Sequence, residues 1–130
     1  MNLIEIVTDP FPEDEAMRRL WLVAWGGELR QSFRPILERS LAHVGAYDGA
    51  TLVGFVNVAW DGGVHAFILD TCVDPDHRRQ GVALRLVERA AELARQRGAH
   101  WLHVDFEPHL EAFYRQCGFG RTTAGLMRLV

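Results

Sequence analysis

Val73-Asp74-Pro75-Asp76-His77-Arg78-Arg79-Gln80-Gly81-Val82-Ala83 separates a run that is apolar on both faces from the most regular amphipathic stretch in the chain. Upstream, Val64 to Val73 reads as a strand buried on both sides, broken only by Asp70. Downstream, Gly81 to Arg97 reads as a helix. Ala83, Leu86, Val87, Ala90 and Ala94 form one stripe, while Arg85, Glu88, Arg89, Glu92 and Arg95 occupy the wet side. Arg85 with Glu88, and Arg89 with Glu92, stand three apart, a spacing suited to ion pairs. A strand that runs through a glycine-containing loop into a helix leaves backbone N–H groups unpaired at the helix start, with the positive end of the helix dipole behind them. Phosphate suits that place. Gly81 allows close backbone approach, Ala83 keeps the first turn narrow, and Arg78 and Arg79 supply two cationic donors. On physical grounds alone, an ordinary β-to-α loop with a solvated arginine pair accounts for the same residues.

Toward the N-terminus, residues 3 to 7 form a short strand, and Asp9-Pro10-Phe11-Pro12 breaks it ahead of a helix carrying Met17, Leu20, Trp21 and Ala24 on one face. Gly26-Gly27 stops that helix. Leu29, Phe33, Ile36, Leu37 and Leu41 mark a second, in which Pro35 either starts the regular part or kinks it. Val44 to Tyr47 is extended, Asp48-Gly49 turns, and Leu52 to Trp60 is a central strand joined by Asp61-Gly62-Gly63 to the strand already described. Beyond the long helix, Gly98 is the stop signal and Trp101 to Asp105 a strand. Pro108 opens a short helix to Gln116, and two closing strands, Phe119 to Thr123 and Leu126 to Val130, finish the chain. The order β, α, α, β, β, β, α, β, α, β, β predicts one mixed α/β domain over residues 1–130.

With 130 residues, 48% hydrophobic and 24% charged, the chain has the composition of one compact core. Its net charge of −3 is spread along the sequence, which argues against a nucleic-acid coat or a polybasic membrane binder. No apolar run approaches the roughly 18 residues of a membrane span, and residues 1–7 lack a secretory leader pattern, so a cytoplasmic location is expected. Cys72 and Cys117 match no thiol motif and are expected to be reduced. The six histidines include no pair with the i, i+4 spacing of a helical zinc site, so no metal is expected.

Arg78-x-x-Gly81-x-Ala83, preceded by Val73-Asp74-Pro75, resembles the Arg/Gln-x-x-Gly-x-Gly/Ala acetyl-CoA pyrophosphate motif of the GNAT family of N-acetyltransferases. Phe113-Tyr114-Arg115-Gln116-Cys117-Gly118-Phe119 resembles that family's late helix, F-Y-x-x-x-G-F, and the element order is similar from first strand to last. The resemblance implies a GNAT-like fold, with a mixed, mostly antiparallel sheet flanked by about four helices. It implies acetyl-CoA as donor, lying against the splayed ends of the fourth and fifth strands. The pyrophosphate would sit on Arg78, Arg79, Gln80, Gly81, Val82 and Ala83, and the pantetheine would pair with backbone at Cys72 and Val73. Two positions depart from the family pattern. Asp105-Phe106-Glu107-Pro108-His109 stands where many relatives carry a pantetheine-contacting Asn, and Ala83 replaces the commoner Gly.

Acetyl transfer to an amine needs an uncharged amine, a donor for developing negative charge and a proton for the leaving thiolate. The resemblance implies Tyr114 as general acid; a core tyrosine on an amphipathic helix is the alternative. His103 lies in a Leu-x-Val setting similar to one where some relatives carry a glutamate base, and imidazole titrates in the right range; a structural histidine is the alternative. Asp70, isolated in an apolar strand, requires a partner or a raised pKa, and is a candidate for base or amine contact. Asp105 and Glu107 are candidates for recognising a cationic acceptor, and Trp21 and Trp25, with Trp60, for lining its pocket, unless these are respectively solvated and core residues. Neither cysteine is placed as a nucleophile, so the expected reaction is direct attack in a ternary complex. A small cationic amine is favoured as acceptor, with a protein N-terminus also open. The rival is a non-catalytic acyl-CoA-binding or sensor module. A phosphate-loop nucleotide binder is disfavoured, because Gly81 is not followed by Lys-Ser/Thr. A homodimer is also open, since Leu126 to Val130 would make a sticky bare edge.

Overall fold

The computed structural model describes residues 3–130. Its centre is a five-stranded sheet in the order β1-β2-β3-β4-β5, built from β1 (Ile4–Thr8), β2 (Ala42–Asp48), β3 (Thr51–Trp60), β4 (His65–Val73) and β5 (Trp101–His103). The first four strands are antiparallel and β5 is parallel to β4. The parallel step follows from α3 (Val82–Gln96), the crossover that such a connection needs. Helix α1 (Asp14–Trp25) begins with Asp14 and Glu15 in its first turn and stops at Gly26, whose N–H bonds the Leu22 carbonyl. Pro35 lies in the first turn of α2 (Arg34–Arg39), so it starts that helix and does not kink it. The short α4 (Glu111–Gln116) closes the regular structure.

Each face of the sheet carries a core. On one, Val82, Leu86, Ala90 and Ala94 of α3 pack on Val44, Val56, Val58, Ala66 and Ile68. On the other, Met17 and Leu20 of α1 and Leu37 of α2 pack on Phe33, Phe55 and Cys72. Gly54 sets the depth of α3: a Cβ there would lie 3.0 Å from Leu86 Cδ1, so only a bare backbone lets the helix settle on β3.

Three sequence expectations fail here. Phe119 to Thr123 and Leu126 to Val130 form no strands, and residues 120–130 are exposed coil. Neither run acquires a partner strand, and an unpaired extended segment leaves its backbone to water. The fifth strand is three residues long, not five, because β4 and β5 diverge after the Phe67–His103 pair. The Arg85–Glu88 and Arg89–Glu92 ion pairs do not form. Arg85 instead donates to the Ile4 carbonyl at 3.0 Å and Arg89 to Thr8 Oγ1 at 3.1 Å, tying α3 to β1, while Glu92 accepts from Arg95. A backbone acceptor in reach outweighs a solvated i, i+3 pair.

Candidate active site

Two irregularities open the sheet at one end. The β3–β4 register places Phe55 opposite Cys72 but Asn57 opposite Leu69, so β4 carries one extra residue in this interval. Asp70 takes up that bulge with φ +60°, a left-handed conformation that Asp tolerates better than most residues. Beyond Phe67, β5 no longer pairs with β4, and the β5-facing backbone edge of residues 68–73 has no strand beside it. Thr71 Oγ1, inside this opening, is buried without a hydrogen-bond partner among the described residues.

Tyr114 closes the opening from α4. It is 6% exposed, stacked on Phe106 at 4.8 Å and edge-on to Phe113 and Phe119. Burial raises the pKa of its hydroxyl, which approaches Thr71 without completing a hydrogen bond of good geometry. The phenol is therefore protonated at neutral pH.

The loop from Asp74 to Gly81 is held at both ends. Asp74 accepts from the Asp76 amide at 3.0 Å, capping a single 3-10 turn, and from Arg19 of α1 at 2.8 Å. Burial would raise the Asp74 pKa, but the Asp76 amide and Arg19 outweigh it and hold the carboxyl low. His77 Nε2 lies 3.0 Å from Asp48 at the β2–β3 turn. Arg79 and Gly81 then adopt positive φ, +61° and +76°, and turn the chain into α3. Nothing lies within 4 Å of a Cβ built on Gly81, and no side chain caps the amides at the start of α3. Arg78 donates to the Ala24 carbonyl at 3.3 Å, one of the unpaired C=O groups ending α1, and Gln80 and Arg79 are exposed.

Cys72 and Val73, the last residues of β4, are buried, and burial pushes the Cys72 thiol up to about 12, with Asp70 adding to the rise and Arg78 opposing it. That thiol is inert as a nucleophile at neutral pH. No hydrogen bond to the Asp70 carboxyl is formed among the described residues, and burial raises its pKa. His103 is exposed at the last paired position of β5, stacked on Phe67 at 4.7 Å. Asp105 and Glu107 are exposed in the following loop. Trp21 and Trp25 meet edge to face at 4.2 Å, with Trp21 packed on Phe33 and Trp25 46% exposed. Trp60 stands five residues along β3 from Phe55, about 17 Å away, and its indole donates to the Arg39 carbonyl. The structure thus gathers Asp70, Thr71, Cys72, Val73 and Tyr114 at the opening, and leaves Trp60 apart from the other two tryptophans.

Sequence reasoning missed Arg19, Thr71 and Phe106, and the pairing of His65 with His103. Asp74-Pro75-Asp76 did carry a turn signal, since an Asp two residues before a free amide caps a turn. No local signal marks Arg19 as its partner.

An open parallel step beside a helix start with free amides defines a protein shaped for an extended ligand bearing phosphate. The chain belongs to the acetyltransferase (GNAT) family, which it matches over residues 1–119. It is 38% identical over 58 residues to a probable glucosamine 6-phosphate N-acetyltransferase of Oryza sativa subsp. japonica, covering 45% of this chain and 35% of that protein. The chain spans about a third of the length of the curated relatives it matches. Its fold is similar to that of a GNAT acetyltransferase from Streptococcus pneumoniae TIGR4, with TM-score 0.80, 24% identity and 98% of each chain covered. It is also similar in fold to an aminoglycoside acetyltransferase from an uncultured soil metagenomic sample, with TM-score 0.78, 16% identity, and 98% of this chain and 96% of that one covered. The family's acetyl donor is acetyl-CoA, and the residues fit it: an orphaned Thr71 hydroxyl, an unpaired strand edge and a sterically open amide cradle. Among the described residues no helix is long and apolar enough to cross a membrane.

Proposed function

We propose that residues 1–130 form one acetyltransferase domain that moves an acetyl group from acetyl-CoA to a primary amine by direct attack in a ternary complex. The observation that carries this reading is the bulged stretch of β4, its β5-facing edge unpaired, lying between the buried Tyr114 and the uncapped amides of α3. The amides and side chains of Arg78 to Ala83 would hold the pyrophosphate, and the backbone of Cys72 and Val73 would pair with the pantetheine. Bound there, acetyl-CoA supplies an activated thioester. Tyr114, kept protonated by burial, is the proton donor to the leaving sulfur. His103 takes the amine proton, with Asp70 near enough to the opening to favour a cationic amine. The inert Cys72 supports a route without an acyl-enzyme.

Asp105 and Glu107 disfavour a phosphorylated acceptor and favour a small cationic amine of the aminoglycoside kind, with Trp21 and Trp25 forming the wall nearest α1. The open β5 edge and exposed Leu126 to Val130 support association of two copies, read by sedimentation. A cytoplasmic location is part of the same proposal.

The test is calorimetric titration with acetyl-CoA and CoA, followed by free-thiol release across an amine panel. Micromolar binding with amine-dependent thiol release is expected; binding without release from any amine would favour the sensor module, and no binding would discard the site. Gly81→Glu should abolish CoA binding while the fold survives. Tyr114→Phe should lower kcat by about 10² with CoA affinity nearly unchanged; a loss below about threefold would return Tyr114 to the core.

A further inference from the structure

His65 and His103 meet diagonally across the short β4–β5 pairing, with His103 at the end where the strands part. The parallel register sets His65 opposite Trp101 and Phe67 opposite His103, so all four side chains stand on one face of the sheet, the face that α1 and α2 cover further along. His65 Nδ1 and His103 Nε2 are 2.9 Å apart, with ring centroids 5.1 Å apart and planes tilted by 43°. At that separation one nitrogen donates and the other accepts, so the pair shares a proton. The contact engages Nε2 of His103 and leaves its Nδ1 free; on His65 it leaves Nε2 free. Tyr114, beside Thr71, and His103, beside Phe67, flank the two ends of the same short bulged stretch of β4.

Resting on the acetyl-transfer reading, we propose that His65 is a positioning residue that drains the proton His103 takes from the amine. The amine N–H proton passes to His103 Nδ1, the Nε2 proton of His103 passes to His65 Nδ1, and the Nε2 proton of His65 passes to water. Each ring gains one proton and gives one, and no other reactant is consumed. Around the pair stand Asp61 in the β3–β4 turn, His100 just before β5, and Asp105 two residues beyond His103. The Asp61 carboxylate accepts from the Gly63 and His65 amides, and these bonds hold its pKa low. The His100 amide bonds the Val64 carbonyl. Ala59, Trp60 and Phe67 from the neighbouring strand positions add no charge. Asp61 therefore places a carboxylate at the outlet end of the path.

The first measurement is an NMR pH titration of the imidazoles in the whole chain, with no ligand. In wild type the titration of each ring should depend on the other, so that His103→Gln changes the curve of His65. Independent single-step titrations, unchanged by removing the other ring, overturn the relay whatever the protein catalyses. The second uses the amine that gives thiol release. His65→Asn places an amide at the Nδ1 position, which keeps a hydrogen bond to His103 but cannot pass a proton on. It should lower kcat by about tenfold and move the acidic limb of the kcat–pH profile, with acetyl-CoA affinity unchanged. Wild-type kcat and an unmoved profile in His65→Asn would reduce His65 to a structural bond and overturn the proposal. A wild-type protein that binds acetyl-CoA but acetylates no amine overturns the parent reading, and the relay with it.

Discussion

Single ionisable groups set opposite pH trends in this molecule. His43 is 1% exposed, its Nε2 accepts from the Phe11 amide at 2.9 Å, and burial lowers its pKa, with Asp9 opposing and Arg97 reinforcing the change. Its folded value lies below the unfolded one. The stability it confers is therefore complete above pH about 6.5 and is lost as pH falls through the lower folded value. Thermal melts should show Tm dropping by several degrees between pH 7 and 5. His43→Gln, which keeps an acceptor that does not titrate there, should flatten that slope. Asp70 runs the other way: its raised pKa means stability is greatest below about pH 3.9 and falls as pH rises through the folded value. Because the carboxylate is partly solvated, the cost is modest. Asp70→Asn should raise Tm by about 2 °C at pH 7 and by nothing near pH 3, a difference that separates relief of charge from the conformational preference of Asn. Sequence alone marked Asp70 as anomalous, since a carboxylate in an apolar strand is visible in one dimension. It gave no sign of the bulge, which depends on the register with β3.

Among the elements, α3 was the most legible, because its stripe repeats over four turns and Gly81 and Gly98 punctuate both ends. The loop before it was equally plain as a motif, although not in what restrains it. Arg19 lies 55 residues from Asp74 in sequence, and no periodicity links them. Arg19→Met should leave Asp74 buried with the Asp76 amide but no cation bonded to it, so its folded pKa rises: the variant should be less stable than wild type at pH 7, and the gap should narrow as pH falls to 3, as read by denaturant melts across that range. At Gly81 a side chain has room but the wrong backbone: Gly81→Ala should cost about 1 kcal/mol and lower Tm by about 4 °C. The His65–His103 pairing was illegible for a related reason. A parallel register is fixed by how the crossover helix packs, and nothing in the two short strands themselves encodes it.

At the scale of the whole molecule, the two cores follow from strands that are apolar on both faces, and these the sequence pattern displayed openly. The closing strands were misread because alternating apolar residues describe a strand only where something pairs with it. Leu126, Met127, Leu129 and Val130 are each at least 80% exposed and contribute no burial within the chain. Leu126→Ser with Leu129→Ser should leave Tm of the dilute protein within about 1 °C of wild type. If two copies associate through this end, the same variant should shift sedimentation to the lighter species. The bulge at Asp70 has one further consequence, for how this chain tolerates insertions and deletions. It acts as a parity switch in β4: before it, odd-numbered residues face α1 and α2, and after it, the even-numbered Cys72 does. Loss of one residue there would remove the excess residue and leave a regular strand in which His65, Phe67 and Cys72 keep their face, whereas the same loss with the bulge retained would turn His65 and Phe67 into the α3 core. A single deletion in this strand is therefore compatible with both cores only at the expense of the bulge, and with it of the opening beside Thr71.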